Sequence, residues 1–469
     1  MAMALTDLLD GPDDEVAVIR DGVETTRAEL RRLAGVVAGA LRERGFQGRA
    51  VGVCMPNTPD AIAAWFGVWQ AGATFVPLNP RAPADEVARI VDATGVAGVL
   101  MALDPVDVRG GRADAPSLDA ANAIVQFTSG TTGRPKAVPL RHDTVVELLD
   151  SVIGSLRGGR GTAARMPNLV PMSLSLWAGI YQVLFAFRLG VPVVLMERFE
   201  PREFARLVAA YGIRSSVLPP AALVMLANDE TIRSLEPLRY VRSVSAPLSP
   251  AHARRFHERF GVAILNGYGQ TELGGEAIGW TAADWKQFGE TKLGAVGRPH
   301  AAISVRVRAH DGSLAATDQV GEIELRSTAR MPPEDAALAG RVTDDGWLRT
   351  GDLGRVDADG FVWIEGRVSA MVNRGGLKVF PDEVEEVLRE HASVVDVSVA
   401  GVPDERLGEV PWAFVVASGD LDADALRDHA RARLAPYKVP AGFTRVDELP
   451  RNEAGKVLRQ ELVPLASRD

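Results

Sequence analysis

Thr128, Ser129, Gly130, Thr131, Thr132 and Gly133 lead through Arg134 and Pro135 to Lys136. Glycines let a backbone turn several N–H groups toward one point, and Ser and Thr hydroxyls add neutral donors. Lys136 adds a mobile positive charge. The run follows the apolar segment 123–126, which reads as a strand. A loop of this kind is suited to a polyphosphate. The P-loop pattern G-x-x-x-x-G-K-[ST] needs a lysine directly after the second glycine and a hydroxyl after the lysine. Here Arg134 and Pro135 separate Gly133 from Lys136, and Ala137 follows it, so the cradle is of another type. An ordinary Gly/Thr turn is the bland alternative, and the order of the residues weighs against it.

A second cluster is Asn266, Gly267, Tyr268, Gly269, Gln270, Thr271 and Glu272, read as a Gly-rich loop after a strand at 263–265. An aromatic between glycines can lie flat on a base. A Thr beside a Glu can hold a phosphate oxygen and a hydrated Mg²⁺ together, since magnesium takes oxygen ligands and is often held by one or two carboxylates. A third is Thr350-Gly351-Asp352, where a carboxylate on a tight turn could accept both hydroxyls of a ribose; Gly366 and Arg367 follow shortly after. A turn-capping aspartate is the plain alternative there. Lys456, alone, would be a surface lysine.

Together these stretches resemble the adenylate-forming superfamily, which includes acyl-CoA synthetases, peptide-synthetase adenylation domains and beetle luciferases. The family patterns T-S-G-T-T-G-x-P-K, Y-G-x-T-E, T-G-D … G-R and P-R-x-x-x-G-K-x-x-R all occur here in family order, the last at 450–459. The resemblance covers nearly the whole chain and implies roles. Thr128, Ser129, Gly130, Thr131, Thr132, Gly133 and Lys136 would hold the phosphates of ATP. Asn266, Gly267, Tyr268, Gly269 and Thr271 would contact the nucleotide, with Tyr268 on adenine, and Ser245, Ala246 and Pro247 would line its adenine side. Glu272 would bind Mg²⁺, and Asp352 and Arg367 would hold the ribose. Lys456 would reach the substrate carboxylate and the α-phosphate. A carboxylate attacking a phosphate brings two anions together, and a placed cation offsets that repulsion. Lys456, Thr271 and Glu272 are therefore the expected catalytic residues.

The resemblance implies an ATP-dependent acyl-CoA synthetase that forms an acyl-adenylate, releases pyrophosphate, and passes the acyl group to the thiol of coenzyme A. An amine or a carrier-protein thiol is an alternative acceptor, and a nucleotide-binding homologue without catalysis is a second rival. Gly375 and Gly376 match the loop that lines the thiol tunnel for CoA. Ser369 occupies the hinge position, where the family usually has Asp or Lys. In the acyl pocket, Leu174, Trp177 and Gly269 are the expected lining, and Leu174 or Ser173 stands where a His is common. Residues 173–177 contain no Asp to hold an amino group. The pocket thus reads as apolar and suited to a fatty, aryl or alicyclic acid.

The supporting elements follow from periodicity. Thr26 precedes a helix at 27–44 whose Leu30, Leu33, Val37 and Leu41 share one face. Strands at 50–55 and 74–78, with a helix between, begin a βα alternation that resumes at 180–218. Segments 102–122 and 154–165 read as surface connections. Segments 303–308 and 321–326 alternate apolar and polar residues like half-exposed antiparallel strands. The fold class is α/β: a large N-terminal domain of βα-layered sheets with a small β-rich subdomain, then a small mobile α+β C-terminal domain. Boundaries fall at 1–366 and 367–469, with the hinge near 367–369.

With 469 residues, 46% of them hydrophobic, the chain can build more than one core. A formal net charge of −9 argues against nonspecific nucleic-acid binding, which rests on basic patches. The single cysteine, Cys54, has apolar neighbours and reads as a small core residue. The N-terminus has no signal-peptide pattern, and no apolar run could span a bilayer, so a cytoplasmic protein is expected. Oligomeric state, including a homodimer, stays open.

Overall fold

The computed structural model describes residues 4–112, 114–129, 135–157, 166–270, 275–301, 303–327, 340–452 and 455–466. Thr26 caps the first long helix, Arg27–Glu43, in a reciprocal box with Glu29, and Leu30, Ala34, Val37 and Leu41 are buried along it. A six-stranded sheet runs in the order Val106–Arg109, Gly98–Leu103, Ala50–Val53, Thr74–Pro77, Asn122–Ser129, Pro135–Arg141. Its interior pairs are parallel and both outer pairs antiparallel. The strand Val106–Arg109 lies inside a stretch read from sequence as a surface connection; its short alternation of Val and charge is too brief to stand out.

The segment read as a strand at 123–126 extends to Ser129, and the return strand begins at Pro135. Thr128 pairs with Lys136 and Ser129 with Pro135, so the two strands that flank the phosphate-type segment form an antiparallel pair. Pro135 is tolerated because its strand is at the sheet edge, where a missing N–H breaks no ladder.

A five-stranded sheet orders Ser215–Leu218, Tyr240–Ser243, Ala263–Gln270, Gly275–Gly279 and Arg298–Pro299, parallel over its first three strands. A four-stranded antiparallel sheet, Ile303–Arg308, Gly321–Ser327, Leu348–Val356 and Val362–Arg367, forms the β-rich subdomain expected from alternation. Another four-stranded sheet joins Val16–Arg20 to Val193–Leu195.

Beyond Arg367 a short 3₁₀ turn, Val368–Ala370, leads to an α+β unit. Its hairpin Val394–Asp404 and Gly408–Ala417 packs on the helices Pro381–Arg389 and Ala423–Arg431, around a core of Val384, Leu388, Val397, Val399, Val415 and Leu426. That core is separate from the two large ones of the N-terminal part. Cys54 is buried in a further cluster, and burial pushes its thiol up, as suits a core residue. Among the described residues no helix is long and apolar enough to cross a membrane.

Candidate active site

Three strands and one loop bring the expected nucleotide residues together. The strand read as ending at Leu265 continues through Gln270 and pairs antiparallel with Gly275–Gly279. Tyr268 and Gln270 therefore belong to a strand rather than a loop, and alternation sends both side chains to one face. The Tyr268 hydroxyl donates to Asp352 Oδ2, and Gln270 Nε2 reaches the same oxygen at 2.9 Å. Burial lifts the Tyr268 phenol well above its ordinary range, and the Asp352 carboxylate adds to this, so it stays a protonated donor.

Asp352 lies within the strand Leu348–Val356, not on a separate turn. The turn-like feature is local: Gly351 has φ +73°, beside a register shift in the pairing with Gly321–Ser327. The Thr350 hydroxyl accepts from the Asp352 N–H at 3.1 Å and donates to the Ile323 carbonyl at 2.7 Å. The Asp352 side chain is 3% exposed, and Arg367 Nε stands 2.8 Å from its Oδ1. A buried carboxylate needs such partners. Arg341 donates to Gln270 Oε1 at 2.7 Å and so orients the amide. Gln270 and Arg341 were not singled out from sequence. The alternation with Tyr268 could have found Gln270; Arg341 carried no local signal.

Lys456 lies near the other end of the chain. Its loop turns at Gly455, φ +78°, where an added Cβ would lie 3.5 Å from Ala221 of the N-terminal part. Its backbone N–H donates to Asn452 Oδ1 at 2.9 Å. Burial, then the positive charges of Arg367 and Arg459, hold its ammonium below the ordinary lysine value, and Asp352 pulls the other way. Arg459 pairs with Asp382, and with Glu385 at 2.8 Å, anchoring the closing segment to helix Pro381–Arg389.

Ser245, in the expected adenine-side segment with Ala246 and Pro247, holds φ +78°, a conformation that costs a non-glycine residue energy and gathers at ligand sites. Asn266 is buried and donates to the Ala295 carbonyl. Gly267 pairs with Gly279. At Gly269 a Cβ would fall 1.8 Å from the Gly275 carbonyl oxygen, so strand pairing accounts for this glycine rather than room for an acyl chain. Leu174 is buried, its N–H bonded to Asn57, and Trp177 opens the helix Trp177–Leu189. Gly375 and Gly376, at φ +58° and +92°, form the two-residue turn between Val372–Arg374 and Leu377–Val379. Ser369 sits in the 3₁₀ turn between the two parts of the chain.

Gly130, Thr131, Thr132, Gly133, Thr271 and Glu272 lie outside the described residues, and of Thr128, Ser129 and Lys136 only the backbone placement is described. The fit of a magnesium ion to Glu272 is therefore not part of this geometry. Among the described residues no group of three or more His, Cys, Asp or Glu could hold a metal.

The arrangement is a buried carboxylate bonded to Arg, Tyr and Gln. A family model described as AMP-binding enzyme matches residues 8–332, and one described as AMP-binding enzyme C-terminal domain matches 383–456. The chain is 34% identical over 355 residues to a sulfoacetate–CoA ligase of Cupriavidus necator, covering 74% of this chain and 68% of that one. It is similar to the amide bond synthetase McbA of Marinactinospora thermotolerans, with TM-score 0.83, 28% identity, and coverage of 99% of this chain and 100% of that one. An o-succinylbenzoate coenzyme A synthetase of Bacillus subtilis, in complex with ATP and magnesium ion, matches with TM-score 0.84 at 25% identity over 98% of each chain.

Proposed function

The chain belongs to the AMP-binding enzyme family, and from that premise we propose that it joins a carboxylic acid to the thiol of coenzyme A at the expense of ATP. In the first step a carboxylate oxygen attacks the α-phosphorus of ATP, the bond to the β-phosphate oxygen breaks, and pyrophosphate leaves. In the second the CoA sulfur attacks the acyl carbonyl, its proton is lost, and AMP leaves.

The observation that carries the reading is the buried Asp352 carboxylate, held by Arg367 at 2.8 Å and by the Tyr268 hydroxyl. Asp352 and Arg367 hold the ribose hydroxyls, and Tyr268 packs on adenine, with Ser245, Ala246 and Pro247 beside it. The segment 128–136 takes the β- and γ-phosphates. Thr271 would contact phosphate and Glu272 would hold magnesium, whose charge would offset that of the pyrophosphate. Lys456 stands at the carboxylate and α-phosphate, where charge develops in the transition state. The C-terminal unit, beyond Arg367, turns at Ser369 between the steps and brings Gly375 and Gly376 to the pantetheine arm. No enzyme nucleophile is required.

Acid-dependent ATP–pyrophosphate exchange tests the first step across a carboxylic-acid library, and absence of exchange with every acid sinks the reading. The likeness to an amide bond synthetase supports a second reading, with an amine as acceptor. Mass spectrometry of products from preformed acyl-adenylate, offered CoA or a panel of amines, separates the two.

A further inference from the structure

The strand pair that turns Tyr268 and Gln270 toward Asp352 has an opposite face with a charged cluster of its own. Arg242 pairs with Leu265, Gly267 with Gly279, and Gly269 with Glu276. Alternation places Arg242, the three glycines and Glu276 together on that second face. The Glu276 carboxylate fills space left by missing side chains: a Cβ on Gly267 would lie 2.4 Å from its Oε2, and one on Gly279 2.2 Å from its Oε1. Arg242 Nη1 donates to Oε1, and His300 Nε2 lies 2.9 Å from the same oxygen. Arg242 Nη2 donates to the Trp280 carbonyl at 3.1 Å.

The helix Trp177–Leu189 faces this cluster with an aromatic stripe. Trp177 and Tyr181 have ring centroids 5.8 Å apart, and Tyr181 stacks on Phe185 at 6.1 Å. Trp177 Nε1 would lie 4.0 Å from a Cβ on Gly275. Burial raises the Tyr181 phenol, and the Glu276 carboxylate raises it further.

Two hydrogen-bonding positions here have no partner among the described residues. One is Glu276 Oε2, since Arg242 and His300 both use Oε1. The other is the hydroxyl of Tyr181, a half-buried residue of the aromatic stripe. The Arg242 charge offsets that of Glu276, which removes the pull on an ammonium group or a second carboxylate. What remains unmet is a neutral donor. A flat aromatic wall over a glycine-rich strand pair favours a ring.

We propose that Glu276, Arg242 and Tyr181 form the far end of the acyl site and select aryl acids that carry a ring hydroxyl. This rests on the acid-activating reading above and replaces the wholly apolar pocket expected from sequence. The hydroxyl donates to Glu276 Oε2 and accepts from Tyr181. A deoxy analogue leaves the carboxylate oxygen desolvated without a donor, which is the arrangement that gives strong discrimination.

The test is pyrophosphate exchange with pairs of aryl acids differing only by the ring hydroxyl. The expected ratio of kcat/KM, hydroxylated over deoxy, is at least ~10 in the native protein. It should collapse toward one in Tyr181→Phe and in the double variant Arg242→Met/Glu276→Leu, which removes both charges so that neither is left buried alone. If the double variant fails to fold, Tyr181→Phe and the native ratio still decide. Exchange with aryl acids at a ratio near one overturns the proposal and leaves the acid-activating reading standing, as does a ratio that survives both substitutions. No exchange with any acid overturns both.

Discussion

Arg367 Nε stands 2.8 Å from Asp352 Oδ1, and the two residues are direct partners across the strands Leu348–Val356 and Val362–Arg367. Arg367 is also the last residue before the 3₁₀ turn that carries Ser369. The side chain proposed to hold a ribose is thus two residues from the proposed pivot. Rotation at Ser369 would move the C-terminal unit while the strand pairing fixes Arg367. Binding of the nucleotide and placement of Lys456 are then separable, and substitutions at the two should fail in different ways.

Lys456→Ala should lower acid-dependent pyrophosphate exchange by ~10²–10³, the usual loss for one preorganised transition-state donor. Thioester formation from supplied acyl-adenylate should fall far less, because the attacking sulfur needs no cation between two anions. Rapid-quench measurement of each half-reaction checks this. Equal losses in both would remove Lys456 from the role.

The same lysine sets a pH limit. Its ammonium is held below the ordinary lysine value, by burial first and then by Arg367 and Arg459. The charged form is the useful one, so kcat/KM for adenylation should be full at low and neutral pH with respect to this group. It should decline as pH rises through the depressed pKa, earlier than the ~10.4 of a free lysine. Lys456→Arg retains the charge at any accessible pH and should erase that basic limb, whatever it does to the rate. A limb unchanged in this variant assigns the titration to another group.

Much of this site was legible because adenylate chemistry needs particular side chains in short runs. Asp352, Arg367, Tyr268 and Lys456 were all singled out that way, and the structure brings the first three into contact. Local conformation was less legible. Tyr268 and Asp352 read as loop residues because Gly-rich sequence has low strand propensity, yet cross-strand pairing with Gly275–Gly279 and Val362–Arg367 overrides it. The Arg242–Glu276 pair was not legible at all. Its members are 34 residues apart, and only the register of three strands brings them together.

Asp352→Asn keeps the shape but removes the charge that Arg367, Tyr268 and Gln270 share. A hydrogen bond to a charged group contributes ~1.5–3 kcal/mol, so KM for ATP should rise by about one to two orders of magnitude. The turnover number at saturating ATP should change less, since the ribose is remote from the bond that breaks. Steady-state exchange kinetics against ATP concentration check the split. A loss confined to kcat would place Asp352 at the reacting centre instead.

Arg459→Gln should act through stability and placement together. Arg459 bridges Asp382 and Glu385, and Glu385 is also held by Arg389 at 2.9 Å and by the Val399 N–H at 2.8 Å. Burial would raise the Glu385 carboxyl, but Arg459 and Arg389 prevail and keep it lowered; at Asp382 burial prevails and raises it. Removing one partner of a buried ion pair costs ~3–5 kcal/mol, because the other charges remain without compensation. The C-terminal unit should therefore unfold at lower urea than the N-terminal part, which has separate cores. A lowered carboxylate such as Glu385 contributes stability above its unfolded pKa and loses it as pH falls through the folded value. The native C-terminal unit should weaken with acid on that account, and Arg459→Gln should flatten the dependence. Below the unfolding transition, adenylation should still drop while acyl transfer is spared, since Lys456 lies three residues from Arg459 and loses its anchor. Fluorescence of Trp412, the only tryptophan of the C-terminal unit, follows the unfolding once the other tryptophans are replaced by Phe.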